Sequence, residues 1–211
     1  MHEIWESLER KYPELMTLRP SLEEAARIML RAFREGHKLL VCGNGGSASD
    51  ADHIVGELMK GFMRKRPIPE FYRQWLEEAY PEEGAYLADH LQGALPAISL
   101  VSHHALITAF ANDVSAEMVF AQQVYGFGKK GDVLLALSTS GNSHNVVRAI
   151  QVARVSGLSV IGMTGCHGGR MRDLCDVTIR VPYDSTPDVQ ERHLPIYHAL
   201  CMVLERELFP A

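Results

Sequence analysis

The chain has 211 residues, 46% of them hydrophobic and 22% charged, with a formal net charge of −5. That length suits one sizeable domain, or two small ones, and the composition is that of an ordinary globular protein. The acidic balance leaves no basic footprint and argues against a dedicated nucleic-acid binder; a phosphate on a small molecule could still be held by a local loop.

Cys42, Cys166, Cys175 and Cys201 form no C-x-x-C pair, a spacing that favours a reducing compartment. The first residues, Met-His-Glu-Ile-Trp-Glu, carry charges where a signal peptide needs an apolar core. No apolar run approaches about 18 residues. A cytoplasmic protein without a membrane span is expected.

In chain order, residues 2–17 and 21–35 read as two amphipathic helices separated at Pro20, with Ser21 capping the second, Glu24 completing a capping box and Gly36 ending it. Residues 38–42 form a short buried strand, followed by Gly43-Asn44-Gly45-Gly46-Ser47 and a helix over 49–59. The order strand, small-residue loop, helix then recurs. Strands over 97–101, 133–137, 158–163 and 177–181 are followed by helices near 104–111 and over 143–156, a short helical turn after Thr164-Gly165, and a long helix over 187–208. This alternation predicts a doubly wound α/β fold, a five-stranded parallel sheet flanked by helices, with all its small-residue loops at the carboxyl ends of strands. The whole of 1–211 is read as a single domain. Residues 64–93 break the pattern: rich in Arg, Glu, Pro and aromatics, they read as a helical insertion, with 70–80 helical and Pro81 a stop, serving as a lid, an oligomer contact or a plain surface excursion.

The most informative segment is Ser138-Thr139-Ser140-Gly141-Asn142-Ser143, where a buried strand turns into a helix. Its four hydroxyls and its backbone N–H groups can wrap a phosphate, and a helix N-terminus adds partial positive charge. A plain polar turn with Ser143 as N-cap would also explain it. The glycine loop lacks both G-x-G-x-x-G spacing and the P-loop lysine, so a dinucleotide or ATP is not expected there; Gly45 and Gly46 still permit close backbone approach, and Asn44 offers its amide.

His53 and Glu57, four apart, share a helix face, which is also a common surface pairing. Gln190 and His198 are eight apart on the last helix, about 80° around its axis, so both can reach one pocket. Two imidazoles, a carboxylate and an amide oxygen form a donor set suited to Zn²⁺, or alternatively to proton shuttling beside a bound sugar. Asn112-Asp113 reads either as a helix C-terminal turn or as a hydrogen-bonding pair for sugar hydroxyls.

Together the glycine loop with Ala48, Asp50-Ala51-Asp52-His53 with Glu57, Asn112-Asp113, the Ser/Thr hexapeptide with His144-Asn145-Val146, Thr164-Gly165, and Gln190-Glu191-Arg192-His193 with His198 resemble the sugar isomerase (SIS) domain, and within it the phosphoheptose isomerases. The likeness spans essentially the whole chain. It implies a flavodoxin-like sheet, conversion of D-sedoheptulose 7-phosphate to D-glycero-D-manno-heptose 7-phosphate through an enediol, a Zn²⁺ cofactor, and a homotetramer with active sites at subunit contacts. It further implies metal ligation by His53, Glu57, Gln190 and His198, and catalysis by Glu57 as base with His198 as partner acid/base. Substrate contacts would come from Asn44, Gly45, Gly46, Asn112, Asp113, Ser138, Thr139, Ser140, Ser143 and Gln190, with the Ser/Thr loop on the phosphate. The chain departs from compact relatives by the insertion of roughly 25 residues and at His103-His104. An isomerase of another sugar phosphate, or a non-catalytic SIS module that senses a phosphosugar or binds a replication initiator, are the alternatives; loss of the ligand set would mark the latter.

Overall fold

The computed structural model describes residues 1–209. Five short apolar runs become the strands β1 (Leu39–Cys42), β2 (Ala97–Ser99), β3 (Val133–Leu137), β4 (Ser159–Thr164) and β5 (Val177–Arg180). They form one parallel sheet in the order β2-β1-β3-β4-β5, with Leu39 opposite both Ala97 and Val133. Every residue of β1 and β3 is buried, as expected of central strands covered on both faces.

Side-chain alternation divides the core. Leu39, Val41, Leu135, Leu137, Ile161 and Ile179 pack with α2 (Arg19–Arg34), α3 (Gly46–Met59) and α9 (Thr186–Leu208). Leu40, Leu134, Ala136 and Val160 point the other way, into α7 (Val119–Phe127) and α8 (His144–Val155). Because β1 feeds α3 on one face and β3 feeds α8 on the other, the loops leaving these adjacent strands diverge. A crevice opens between them at the sheet's carboxyl edge.

The N-terminal expectations need correction. Helix α1 spans only His2–Lys11; Pro13 starts a 3₁₀ segment, Pro13–Leu18, in place of a helix to residue 17. Helix α2 begins at Arg19, before Pro20, which sits in the first turn where its missing N–H leaves no bond unmade. Ser21 is therefore inside the helix, makes no cap, and Glu24 pairs with Arg27 rather than closing a capping box. Helix α3 starts at Gly46, three residues earlier than the sequence suggests.

Helix α6 (His104–Phe110) runs into a π-helical turn, Ala111–Ser115, and a 3₁₀ turn, Ala116–Met118, before α7, an element the sequence reading did not place. Residues 64–93 form a helical hairpin of α4 (Glu70–Ala79) and α5 (Gly84–His90). Arg73 ties its arms by pairing with Glu77 and Asp89, while Phe71, Trp75, Tyr80 and Tyr86 stand exposed. At the neck, Gly93 donates its N–H to the Arg66 carbonyl at 2.6 Å, and Gly61 donates to the Gln92 side chain at 2.6 Å.

Candidate active site

Two loops meet across the β1/β3 crevice. Asn44, after β1, and Asn145, in the first turn of α8, exchange amide hydrogen bonds of 2.8 and 2.9 Å. With Ala116, Glu117, Ser143 and His144 they line a cavity of about 310 Å³. Asn145 was not singled out as a site residue by sequence; its place directly after the Ser/Thr loop was the available signal.

The Ser/Thr loop is a built structure rather than a plain capped turn. Ser143 occupies the N-cap of α8 but makes no capping bond; its Oγ lies 2.9 Å from Ser138 Oγ instead. The Ser140 hydroxyl accepts from Asn142 N–H at 3.2 Å, and the Thr139 carbonyl accepts from Gly165 N–H at 2.9 Å. Gly141 has φ +66°, and a Cβ there would lie 2.0 Å from the Gly168 carbonyl oxygen, so the tight return of the loop needs glycine. Thr139 Oγ1 lies 3.5 Å from Thr186 Oγ1, bringing the start of α9 beside the loop.

Helices α3 and α9 cross at the next position. Gln190 covers the glycine loop so closely that a Cβ on Gly46 would fall 2.6 Å from its side-chain nitrogen. Two turns further along α9, the His198 ring stands edge-on to that of His53, centroids 5.0 Å apart at 88°. His53 Nε2 lies 3.3 Å from Glu57 Oε1, and Lys60 Nζ donates to Glu57 Oε2 at 3.2 Å. His198 Nε2 is buried with no hydrogen-bond partner. Burial, and then the nearby His53, pull the His198 pKa below the usual imidazole value, so it is neutral near pH 7.

The structure thus gathers His53, Glu57 and His198, sets Gln190 on the glycine loop, and places Asn44 against the Ser143 end of the phosphate-loop candidate. It leaves Asn112 and Asp113 apart: both are exposed, and the Asn112 amide donates to Asp113 Oδ1 at 2.8 Å, while their chain neighbours Ala116 and Glu117 reach the cavity. Among the described residues no group of three or more His, Cys, Asp or Glu is drawn tightly enough to hold a metal ion by itself. The donor chemistry nevertheless fits one, because an orphaned imidazole nitrogen and a carboxylate opposite a second imidazole are groups a divalent cation would satisfy.

A parallel sheet of this order with a hydroxyl-rich turn above β3 fits an SIS-domain protein, and the SIS domain family model, matching residues 5–85 and 75–165, places the chain in that class. A phosphoheptose isomerase of Rhodospirillum rubrum is 41% identical over 189 residues, 90% of this chain and 87% of the relative. The solved phosphoheptose isomerase of Francisella tularensis superposes with a TM-score of 0.74 at 31% identity, covering 97% of this chain and 96% of its own. That of Neisseria gonorrhoeae does so with 0.69 at 30%, covering 94% and 98%. The chain belongs to the phosphoheptose isomerase family.

Proposed function

We propose that the chain interconverts D-sedoheptulose 7-phosphate and D-glycero-D-manno-heptose 7-phosphate. The observation that carries the reading is the gathering of Glu57 and His198 around His53 from two distant helices, one of which also brings Gln190 onto the glycine loop and Thr186 beside the serine-lined turn.

Moving the carbonyl from C2 to C1 requires a proton to leave C1 and one to reach C2, with an enediol between. Ser138, Thr139, Ser140 and Ser143, with the N-terminus of α8, hold the phosphate through neutral donors and fix the far end of the sugar. Asn44 and the backbone of Gly45 and Gly46 bind along the chain of hydroxyls, and Asn112 and Asp113 act from a subunit contact. Glu57 takes the C1 proton and returns it at C2. His198, neutral for the reason given above, moves the hydroxyl proton between O1 and O2.

Zn²⁺ bound by His53, Glu57, Gln190 and His198 would polarise the carbonyl and enediol oxygens. The two oxygens of Glu57 are differently placed, Oε1 towards His53 and Oε2 towards Lys60, so ligation and proton transfer need not fall on the same atom. Assembly as a homotetramer belongs to the same reading, with Val114 and Tyr125, left 65% and 75% exposed, as candidate contact side chains. The four unpaired cysteines support a cytoplasmic setting, and among the described residues no helix is long and apolar enough to cross a membrane.

Incubating the purified protein with sedoheptulose 7-phosphate, with and without added Zn²⁺, tests the proposal. An aldose 7-phosphate product is expected; none with metal present would end the heptose assignment.

A further inference from the structure

His53 has two ring nitrogens with different neighbours. Nδ1 lies 3.0 Å from the Tyr197 hydroxyl oxygen, and Nε2 lies 3.3 Å from Glu57 Oε1. The Tyr197 hydroxyl in turn donates to Asp50 Oδ1 at 3.3 Å. A phenol has one proton. Given to the carboxylate of Asp50, it leaves the Tyr197 oxygen able only to accept, and the hydrogen facing it must then come from His53 Nδ1. Neutral His53 therefore carries its proton on Nδ1 and presents a bare electron pair at Nε2.

That electron pair faces a carboxylate oxygen. Two acceptors 3.3 Å apart repel unless a cation or a proton lies between or beside them. We propose that Tyr197, held by Asp50, is a positioning residue that locks His53 in the Nδ1–H tautomer and so readies Nε2 as a ligand for a cation shared with Glu57. The inference rests on the metal reading above for its purpose, though not for the tautomer itself.

The surroundings make Tyr197 specific to this task. It is 2% exposed, and its ring stands edge-on to both imidazoles, with centroids 5.5 Å from His53 and 5.1 Å from His198. Asp50 and His53 lie three residues apart on α3, one turn of the same helix, so the chain Asp50–Tyr197–His53 closes on a single rigid element. A partner on the non-ligating nitrogen is the usual means of fixing a metal-binding histidine, commonly a carboxylate or a carbonyl; here a phenol stands between.

The test is a long-range ¹H–¹⁵N correlation spectrum of the full chain, histidine-labelled and freed of metal, at about pH 8, where an ordinary imidazole is neutral. His53 is assigned by comparison with His53→Gln. The wild type should show His53 protonated at Nδ1, and Tyr197→Phe, which keeps the ring and removes only the hydroxyl, should shift it to Nε2–H. A wild-type His53 protonated at Nε2, a result that needs no variant, overturns the proposal, as does an unchanged tautomer in Tyr197→Phe. Zn²⁺ affinity, read by competition with a chromophoric chelator, should fall about 10- to 100-fold in Tyr197→Phe. A wild type that shows the Nδ1–H tautomer but binds Zn²⁺ no better than His53→Gln would remove the metal reading while leaving the tautomer lock standing.

Discussion

Arg66 and Glu205 form an ion pair sealed from solvent, Nε to Oε1 2.8 Å, and between them satisfy the backbone that ends α3. The guanidinium donates to the carbonyls of Leu58 and Glu57 at 2.7 and 3.1 Å, and the carboxylate accepts from the N–H groups of Phe62 and Met63 at 2.8 Å each. Burial alone would raise the Glu205 pKa, but these N–H donors and Arg66 outweigh it and hold it below the usual carboxylate value. Replacing one partner, as in Glu205→Gln or Arg66→Met, should destabilise the protein by about 3–5 kcal/mol, because a buried charge loses its counterpart. The double replacement Arg66→Met with Glu205→Gln should recover only part of this, since the carbonyls of Glu57 and Leu58 stay unpartnered. Urea unfolding of all three variants measures the coupling; full additivity would show that the pair does not act as a unit.

Glu57→Gln keeps the shape of the side chain and removes its basicity. Turnover should fall by about 10²- to 10⁴-fold with a melting temperature close to that of the parent, as expected for loss of a general base. Normal turnover would reduce Glu57 to a structural role.

Ser140→Ala and Ser143→Ala should each weaken substrate binding by about 1 kcal/mol, roughly a fivefold rise in KM, with little change in kcat. If both variants keep the parental KM, the phosphate lies elsewhere.

His193 gives a pH prediction separate from the chemistry. It is fully buried on α9, neither ring nitrogen has a partner at ordinary hydrogen-bond geometry, and burial pulls its pKa down to about 4, with only the backbone of Thr164 favouring the charged form. The unfolded chain takes up this proton near pH 6.5 and the folded chain only near 4. Stability from this group is therefore complete above about 6.5 and declines as pH falls towards 4, by about 3 kcal/mol in all. Denaturant unfolding at pH 7 and 4.5 should show a fall that is largely absent in His193→Gln.

The sheet was legible because its strands are short, apolar and separated by small residues; β3, buried throughout, was read to the residue. Helix α9 was readable from its polar start and continuous pattern despite Pro195 inside it. Helix α7 was not, because its buried residues, Val119, Phe120, Ala121, Gln123 and Val124, fall in two adjacent runs around the helix and blur the 3.6-residue period. Helix α5 escaped for the opposite reason: only Gly84 and Ala88 are buried, so there is hardly an apolar face to detect. In the site, spacing put His53 with Glu57 and Gln190 with His198, but only likeness to a family joined the two pairs. The Tyr197 contact was beyond reach, since it depends on how α3 and α9 cross.

The helical hairpin leaves and rejoins the body through a narrow neck, where Arg66 meets Gly93 and Gly61 meets Gln92. Whatever lies beyond that junction can be lengthened, trimmed or exchanged without tugging on the helix that carries His53 and Glu57. The chain has, in effect, a grafting port beside its chemistry, and lineages could dress this rim with new surfaces while the reaction beneath it stays the same.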